Sequence, residues 1–174
     1  MTRKIVFYGA ITLDGYLATS DDQLEWLFNT AGGDQTDYAD FEKSLDTTVM
    51  GRVTYEEAKR MVGTDVLYPN MTNYVFSRTM QDFPDAIGVN EDPVSFLKEL
   101  KEQTGKNIWI VGGGQLLKPI LEADLIDEWW IQIAPVLLGE GKPLFEVGSY
   151  QRRLQLVEIK QFDQFVELHY QRQG

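Results

Sequence analysis

With 174 residues, 43% of them hydrophobic, the chain reads as one globular domain over residues 1–174, long enough to bury a proper core. The absence of cysteine excludes disulfides and thiolate metal sites, and a formal net charge of −11 argues against nucleic acid or anionic membranes as partners. The N-terminus lacks the apolar core of a signal peptide, and no run approaches the roughly 18 apolar residues of a spanning helix, so a cytoplasmic protein is expected.

Residues 3–11 alternate as a strand, and the Asp14-Gly15 pair turns the chain into a short extended piece at Tyr16, Leu17 and Ala18. Asp21 or Asp22 is expected to cap a helical turn carrying Leu24, Trp26, Leu27 and Phe28. Thr36 or Asp37 starts a second helix holding Tyr38, Phe41 and Leu45 at spacings of three and four. A strand over 47–50 meets Gly51-Arg52 and a helix over about 53–61; strands follow over 72–76 and 86–89. Asp92-Pro93 opens a helix that buries Phe96, Leu97 and Leu100. Residues 108–111 are apolar and mostly β-branched, which suits a central strand. Gly112, Gly113 and Gly114 then turn into a helix over 114–122, where Pro119 is expected to cause distortion. A long strand over 126–136 puts Trp129 and Trp130 on opposite faces, 137–145 is a loop, and 154–161 with 165–171 form a closing hairpin. Strands alternate with helices up to about residue 125 and stand alone afterwards. This pattern predicts an α/β fold with a mainly parallel sheet and antiparallel strands at its end.

Three strand ends carry donors suited to phosphate, and strand ends of a parallel sheet gather on one edge. Gly51-Arg52-Val53-Thr54 combines close backbone approach, a guanidinium fork and a hydroxyl at a helix start. Ser77-Arg78-Thr79 repeats the combination, and the glycine turn opens bare backbone at a helix N-terminus. In so acidic a chain, arginines at two of the three ends point to a dinucleotide with an extra phosphate. Each piece also has a plain structural reading: capping threonine, turn chemistry, a tight strand-to-helix turn. The carboxylates of Asp37 and Asp14 carry the same ambiguity, as a helix first-turn residue and a turn residue respectively. The one histidine, His169, reads as a sheet residue, and no metal site is expected.

Met-Gly-Arg-x-Thr-Tyr-Glu, Phe-Ser-Arg-Thr and Ile-Val-Gly-Gly-Gly-Gln-Leu, in that order, resemble the dihydrofolate reductase superfamily, and most of all the RibD C-terminal family of riboflavin-biosynthesis reductases. Residues 12–18 and 133–145 extend the resemblance to nearly the whole chain. It implies a three-layer fold, NADPH as cofactor, a small-molecule substrate and a homodimer formed through the strand of Trp129 and Trp130. Arg52, Ser77 and Arg78, with Thr79 beside them, would meet the 2′-phosphate. Gly51, Val53 and Thr54 with Gly112, Gly113, Gly114, Gln115 and Leu116 would cradle the pyrophosphate, across a cis Gly112–Gly113 peptide. Ala10, Leu17 and Ala18 would flank the nicotinamide, and Leu13, Trp26, Tyr38 and Phe41 would wall the substrate. Asp37 resembles the catalytic carboxylate, which in an apolar pocket would have a raised pKa, and Asp14 is a second candidate. A pterin-like or ribosylaminopyrimidine-like substrate follows; dihydrofolate reductase proper and a non-catalytic NADP-binding protein stand as alternatives. No arginine cluster matches the ribose phosphate of the riboflavin precursor, and the deaminase half of the bifunctional protein is absent from this sequence.

Overall fold

The computed structural model describes residues 3–79 and 82–173. In chain order these form β1 (Ile5–Thr12), β2 (Tyr16–Ala18), α1 (Glu25–Phe28), a 3-10 turn (Gly33–Gln35), α2 (Tyr38–Lys43), β3 (Leu45–Gly51), α3 (Arg52–Val62), β4 (Thr72–Phe76), β5 (Asp82–Phe83), β6 (Ala86–Val89), α4 (Pro93–Glu102), β7 (Asn107–Gly112), α5 (Gly114–Glu122), β8 (Glu128–Ala134), β9 (Lys142–Pro143), β10 (Leu154–Phe162) and β11 (Phe165–Arg172). Nine strands join in the order β10-β11-β8-β1-β7-β3-β4-β6-β5, and β2 pairs with β9 apart from them. The pairs among β8, β1, β7, β3, β4 and β6 are parallel; β11 runs antiparallel to β8, and β10 to β11. The mainly parallel α/β sheet with its closing hairpin is therefore present as the sequence pattern predicts.

Side chains alternate across each strand and so build two cores. One face carries Ile5, Phe7, Val49, Ile108, Ile110 and Trp129 against Leu97 and Leu100 of α4 and Leu117 and Ile120 of α5. The other carries Val6, Tyr8 and Trp109 against Phe41 of α2, with Met50 and Val75 under Tyr55 and Ala58 of α3. Trp129 stays in the first layer, whereas Trp130 packs on Phe41 in the second.

Several boundaries differ from the sequence reading. Neither Asp21 nor Asp22 caps α1: the N-cap is Leu24, and residues 19–23 close on themselves through the main chain and hydroxyl of Thr19. Leu45 keeps helical spacing with Tyr38 and Phe41, yet it begins β3, because α2 stops at Ser44. Pro119 does not interrupt α5, which runs from Gly114 to Glu122. The 3-10 turn, β5 and β9 were too short to leave a period in the sequence. By contrast, Asp92 does cap α4, its carboxylate accepting from the Ser95 amide at 2.9 Å.

The route expected for a homodimer also needs correction. β8 is an interior strand, paired on one side with β1 and on the other with β11, and Trp129 is buried beneath α5. The outer strand at that end is β10, where Leu156, Val157 and Ile159 stand exposed, with Val166 of β11 beside them.

Asp85 ties α3 to the loop before β4. Its carboxylate accepts from Tyr55 Oη at 2.6 Å, Lys59 Nζ at 2.9 Å and the Leu67 amide at 2.8 Å. Burial pushes its pKa upward, but these donors more than offset that and hold it below the ordinary aspartate value. A depressed native pKa adds stability above the unfolded-state value, and that contribution fades as pH falls through the native one. Asp85→Asn is expected to cost about 1–3 kcal/mol at neutral pH. In denaturant titrations the gap to the parent should narrow below about pH 3.9; a gap independent of pH would contradict this account.

Candidate active site

The C-terminal edge of the parallel strands brings two of the phosphate-suited turns into contact. Gly51 ends β3 in extended conformation and leads directly into α3. Gly112 ends β7 at φ 138°, and its peptide to Gly113 is cis, as the resemblance implies. A Cβ on Gly51 would sit 3.9 Å from the Gly112 carbonyl oxygen, and one on Gly113 would sit 3.5 Å from Thr54 Oγ1. The two turns thus lie face to face, with the Thr54 hydroxyl between them. Gly51 pairs with Phe76 across β3 and β4, so the third segment, Ser77-Arg78-Thr79, leaves the sheet one strand further along the same edge. Ser77 is buried, and Arg78 and Thr79 are exposed. The Arg52 guanidinium is half exposed and donates to Glu56 at 3.0 Å, one helical turn along.

A second layer closes over the glycine turn. A Cβ on Gly114 would lie 2.3 Å from the Pro143 carbonyl oxygen, so the loop over 137–145 is seated directly on the start of α5. The same loop bonds Leu144 N–H to the Gly15 carbonyl and pairs with Tyr16–Ala18. Asp14 completes this junction. It accepts from Thr12 Oγ1 at 2.6 Å and from the amides of Leu138 and Gly139, donors that hold its carboxyl below the usual range, with the Thr12 bond first among them. Of its two readings, the geometry matches the structural one: Asp14 fastens two loops. Leu13 is exposed on the same turn, while Leu17 is half-buried and Ala18 buried beneath the loop. At the opening of α5, Gln115 is exposed and Leu116 is buried, and Val53 is exposed at the start of α3.

On the α1/α2 face lies a feature the sequence reading missed. Ala10, Gln132, Glu167 and Lys160 are successive register partners on β1, β8, β11 and β10, so their side chains share that face. Gln132 donates to Glu167 at 2.6 Å, and Lys160 donates to Asp37 at 2.5 Å. A polar row therefore crosses three strands, β8, β11 and β10, beside Ala10 of β1, and ends on Asp37, at the N-cap of α2. Asp37 makes no capping bond of its own. Nor is it alone in an apolar pocket: its side chain is 27% exposed and paired with an ammonium. The carboxyl with the properties expected of Asp37 is instead Glu167, which is 2% exposed and whose pKa is raised chiefly by burial. The bond to Asp37 is in turn the main cause that raises Lys160.

Aromatic rings wall this row. Tyr8 stacks on Phe41 at 4.3 Å and meets Tyr38 edge-on at 5.6 Å. Burial lifts the Tyr8 hydroxyl to about 12, and Asp37, Glu167 and Lys160 all contribute to its field. Trp26 is buried with Ala134, Phe165 and Ala10, and its indole N–H has no partner among the described residues. Sequence period held a clue to Glu167. It alternates with Phe165 on the inward face of a strand, where a carboxylate is costly unless it is paired or keeps its proton.

The family model for the RibD C-terminal domain matches residues 3–168, nearly the whole chain. The chain belongs to the RibD C-terminal domain family. The uncharacterized protein YwjB of Bacillus subtilis (strain 168) is 41% identical to this chain, with 99% of each chain covered. The crystal structure of a Shewanella sp. PV-4 protein assigned to riboflavin biosynthesis superposes at TM-score 0.85, with 28% identity and both chains fully covered. The Thermotoga maritima diaminohydroxyphosphoribosylaminopyrimidine deaminase/5-amino-6-(5-phosphoribosylamino)uracil reductase superposes at TM-score 0.71 with 16% identity, a likeness of fold. This RibD-type chain spans 57% of that bifunctional protein. No helix among the described residues is long and apolar enough to cross a membrane.

Proposed function

We propose that this protein is an NADPH-dependent reductase that transfers hydride to a small heterocycle of the pterin or ribosylaminopyrimidine type, acting in the cytosol. The observation that carries the reading is the meeting of Gly51 and Thr54 with the Gly112–Gly113 turn, beside Arg52 and along the edge that Ser77 leaves. Backbone amides and a hydroxyl at two helix starts suit a pyrophosphate, and a neighbouring guanidinium suits an extra phosphate. The nicotinamide would then lie toward Ala10, Leu17 and Ala18, next to the polar row. Hydride chemistry belongs to the coenzyme; the chain would orient the two rings and exclude water. The substrate ring would rest on the wall of Tyr38, Phe41 and Trp26, below Leu13. Dihydrofolate reductase proper calls for Asp37 buried beside the nicotinamide site; its partial exposure and its ion pair with Lys160 favour the first reading.

Titration with NADPH followed by cofactor fluorescence tests the reading, and NADH should bind more weakly. Turnover should then appear with 5-amino-6-ribosylaminouracil-type substrates or dihydrofolate. Binding without turnover across such a panel would favour a non-catalytic NADP-binding protein, and absence of binding would refute both.

A homodimer would use the uncovered apolar surface of β10 and β11. Light scattering should give twice the 19.9 kDa chain mass. Ile159→Asp should return the monomer, since a charge in an apolar contact is strongly unfavourable. A monomer mass for the parent protein would remove this part of the proposal.

A further inference from the structure

The edge of the sheet opposite the glycine turns holds a small cavity for which the reductase reading has no use. It lies among the end of α5, the first residues of β8, the start of β10 and the end of β11, with a volume of about 50 Å³. Arg152, Arg153 and Arg172 all line it, a concentration of positive charge in a chain of net charge −11. One carboxylate in the lining answers them. Asp124 pairs with Arg152 and, at 3.7 Å, with Arg172, whose Nη2 also donates to the Asp124 carbonyl at 2.5 Å. Asp127 stands 3.5 Å from Arg172 but is shared with Lys101 at 2.9 Å, so it does not settle the excess. Arg153 has no hydrogen-bond or ion-pair partner among the described residues, and the Nε–H of Arg172 is buried without one. Gathered cations repel one another, and a desolvated donor left unpaired is costly. An acceptor carrying negative charge would relieve both.

The rest of the lining sets the kind of anion. Leu121, Ile126, Trp129 and Leu154 contribute hydrocarbon, and the first three are buried. Phosphate or sulfate would press bare oxygens against these carbons, where polar atoms go unsatisfied. A carboxylate with a short hydrocarbon body suits both parts. The volume equals that of about three to five waters, by the space one water needs, which admits a ligand of a few carbon atoms. We propose that this cavity binds a small organic carboxylate, its head on the guanidinium groups of Arg153 and Arg172 and its body against Trp129 and Leu154. Arg152, clamped by Asp124, holds its charge beside the head. The site is at the start of β8, whereas Gly51 and Gly112 end β3 and β7, so it stands whether or not the reductase reading holds.

Nitrogen-15 spectra of the arginine Nε–H groups test the site on the intact protein, with propionate as the probe. The Arg153 signal is the one missing from Arg153→Gln, and Arg172 reports binding in that variant. Propionate should shift both signals along a saturable curve with a Kd on the order of 1–10 mM, as so few ligand atoms allow. Sodium chloride at equal ionic strength should not. Arg153→Gln gives up no partner in the fold and should weaken propionate at least about fivefold, the loss of one charge-assisted hydrogen bond. Formate, which lacks the hydrocarbon body, should bind about tenfold more weakly. Shifts that chloride reproduces, the absence of saturation, or a Kd unchanged in Arg153→Gln would each overturn the site. Formate binding as tightly as propionate would overturn the assignment of the ligand.

Discussion

Arg52→Ala is expected to weaken NADPH binding by roughly 10- to 100-fold while changing NADH binding by no more than a few-fold. Charge-assisted hydrogen bonds to a phosphate are worth about 1.5–3 kcal/mol, and that contribution would be lost for the phosphorylated coenzyme alone. The position suits the role: Arg52 is the first residue of α3, directly after the glycine that faces the Gly112–Gly113 turn. Its fork is half exposed and held by Glu56, so an incoming phosphate exchanges one partner for a better one. Fluorescence titrations with both coenzymes give the two affinities. Equal losses would withdraw Arg52 from the 2′-phosphate.

Gly114→Ala should have a large structural effect at this edge. The added carbon would sit 2.3 Å from the Pro143 carbonyl oxygen and 3.2 Å from that of Leu144. Neither is the flexible end of a side chain, so the loop or the helix start has to move. Overpacking of this kind costs about 1–3 kcal/mol, or a melting temperature lower by roughly 2–12 °C for a chain of this size. The displaced loop also carries the amides that hold Asp14 and the pairing with Tyr16–Ala18, so NADPH affinity should fall as well. Thermal melts and coenzyme titration on one preparation measure both; a variant as stable as the parent would show that the contact relaxes freely.

Much of the fold was legible because its signals are local. Residues 108–111 announce a covered strand by being apolar and β-branched, and Asp92-Pro93 announces a helix start by cap and proline. Leu45 misled because a residue just past a helix end can keep the helical spacing while its backbone has already turned extended. Asp22 misled because its backbone lies at φ 63°, in a turn closed by Thr19, where its side chain has no helix to cap. The candidate site divides the same way. The glycines and Arg52 sit in contiguous motifs and could be named in advance. Gln132, Lys160 and Glu167 come from three different strands, and only strand register makes them neighbours. Asp37 could be singled out, but its partner lies 123 residues away, so its surroundings could not.

Lys160 belongs to the outermost strand of the sheet, yet its ammonium grips the residue that starts α2. Pressure on that rim, whether from a second subunit or a crystal neighbour, would be felt at the aromatic wall of Tyr38 and Phe41 through one lysine side chain. If the proposed dimer and the proposed reductase activity both hold, dilution below the association threshold should change coenzyme turnover as well as the particle mass.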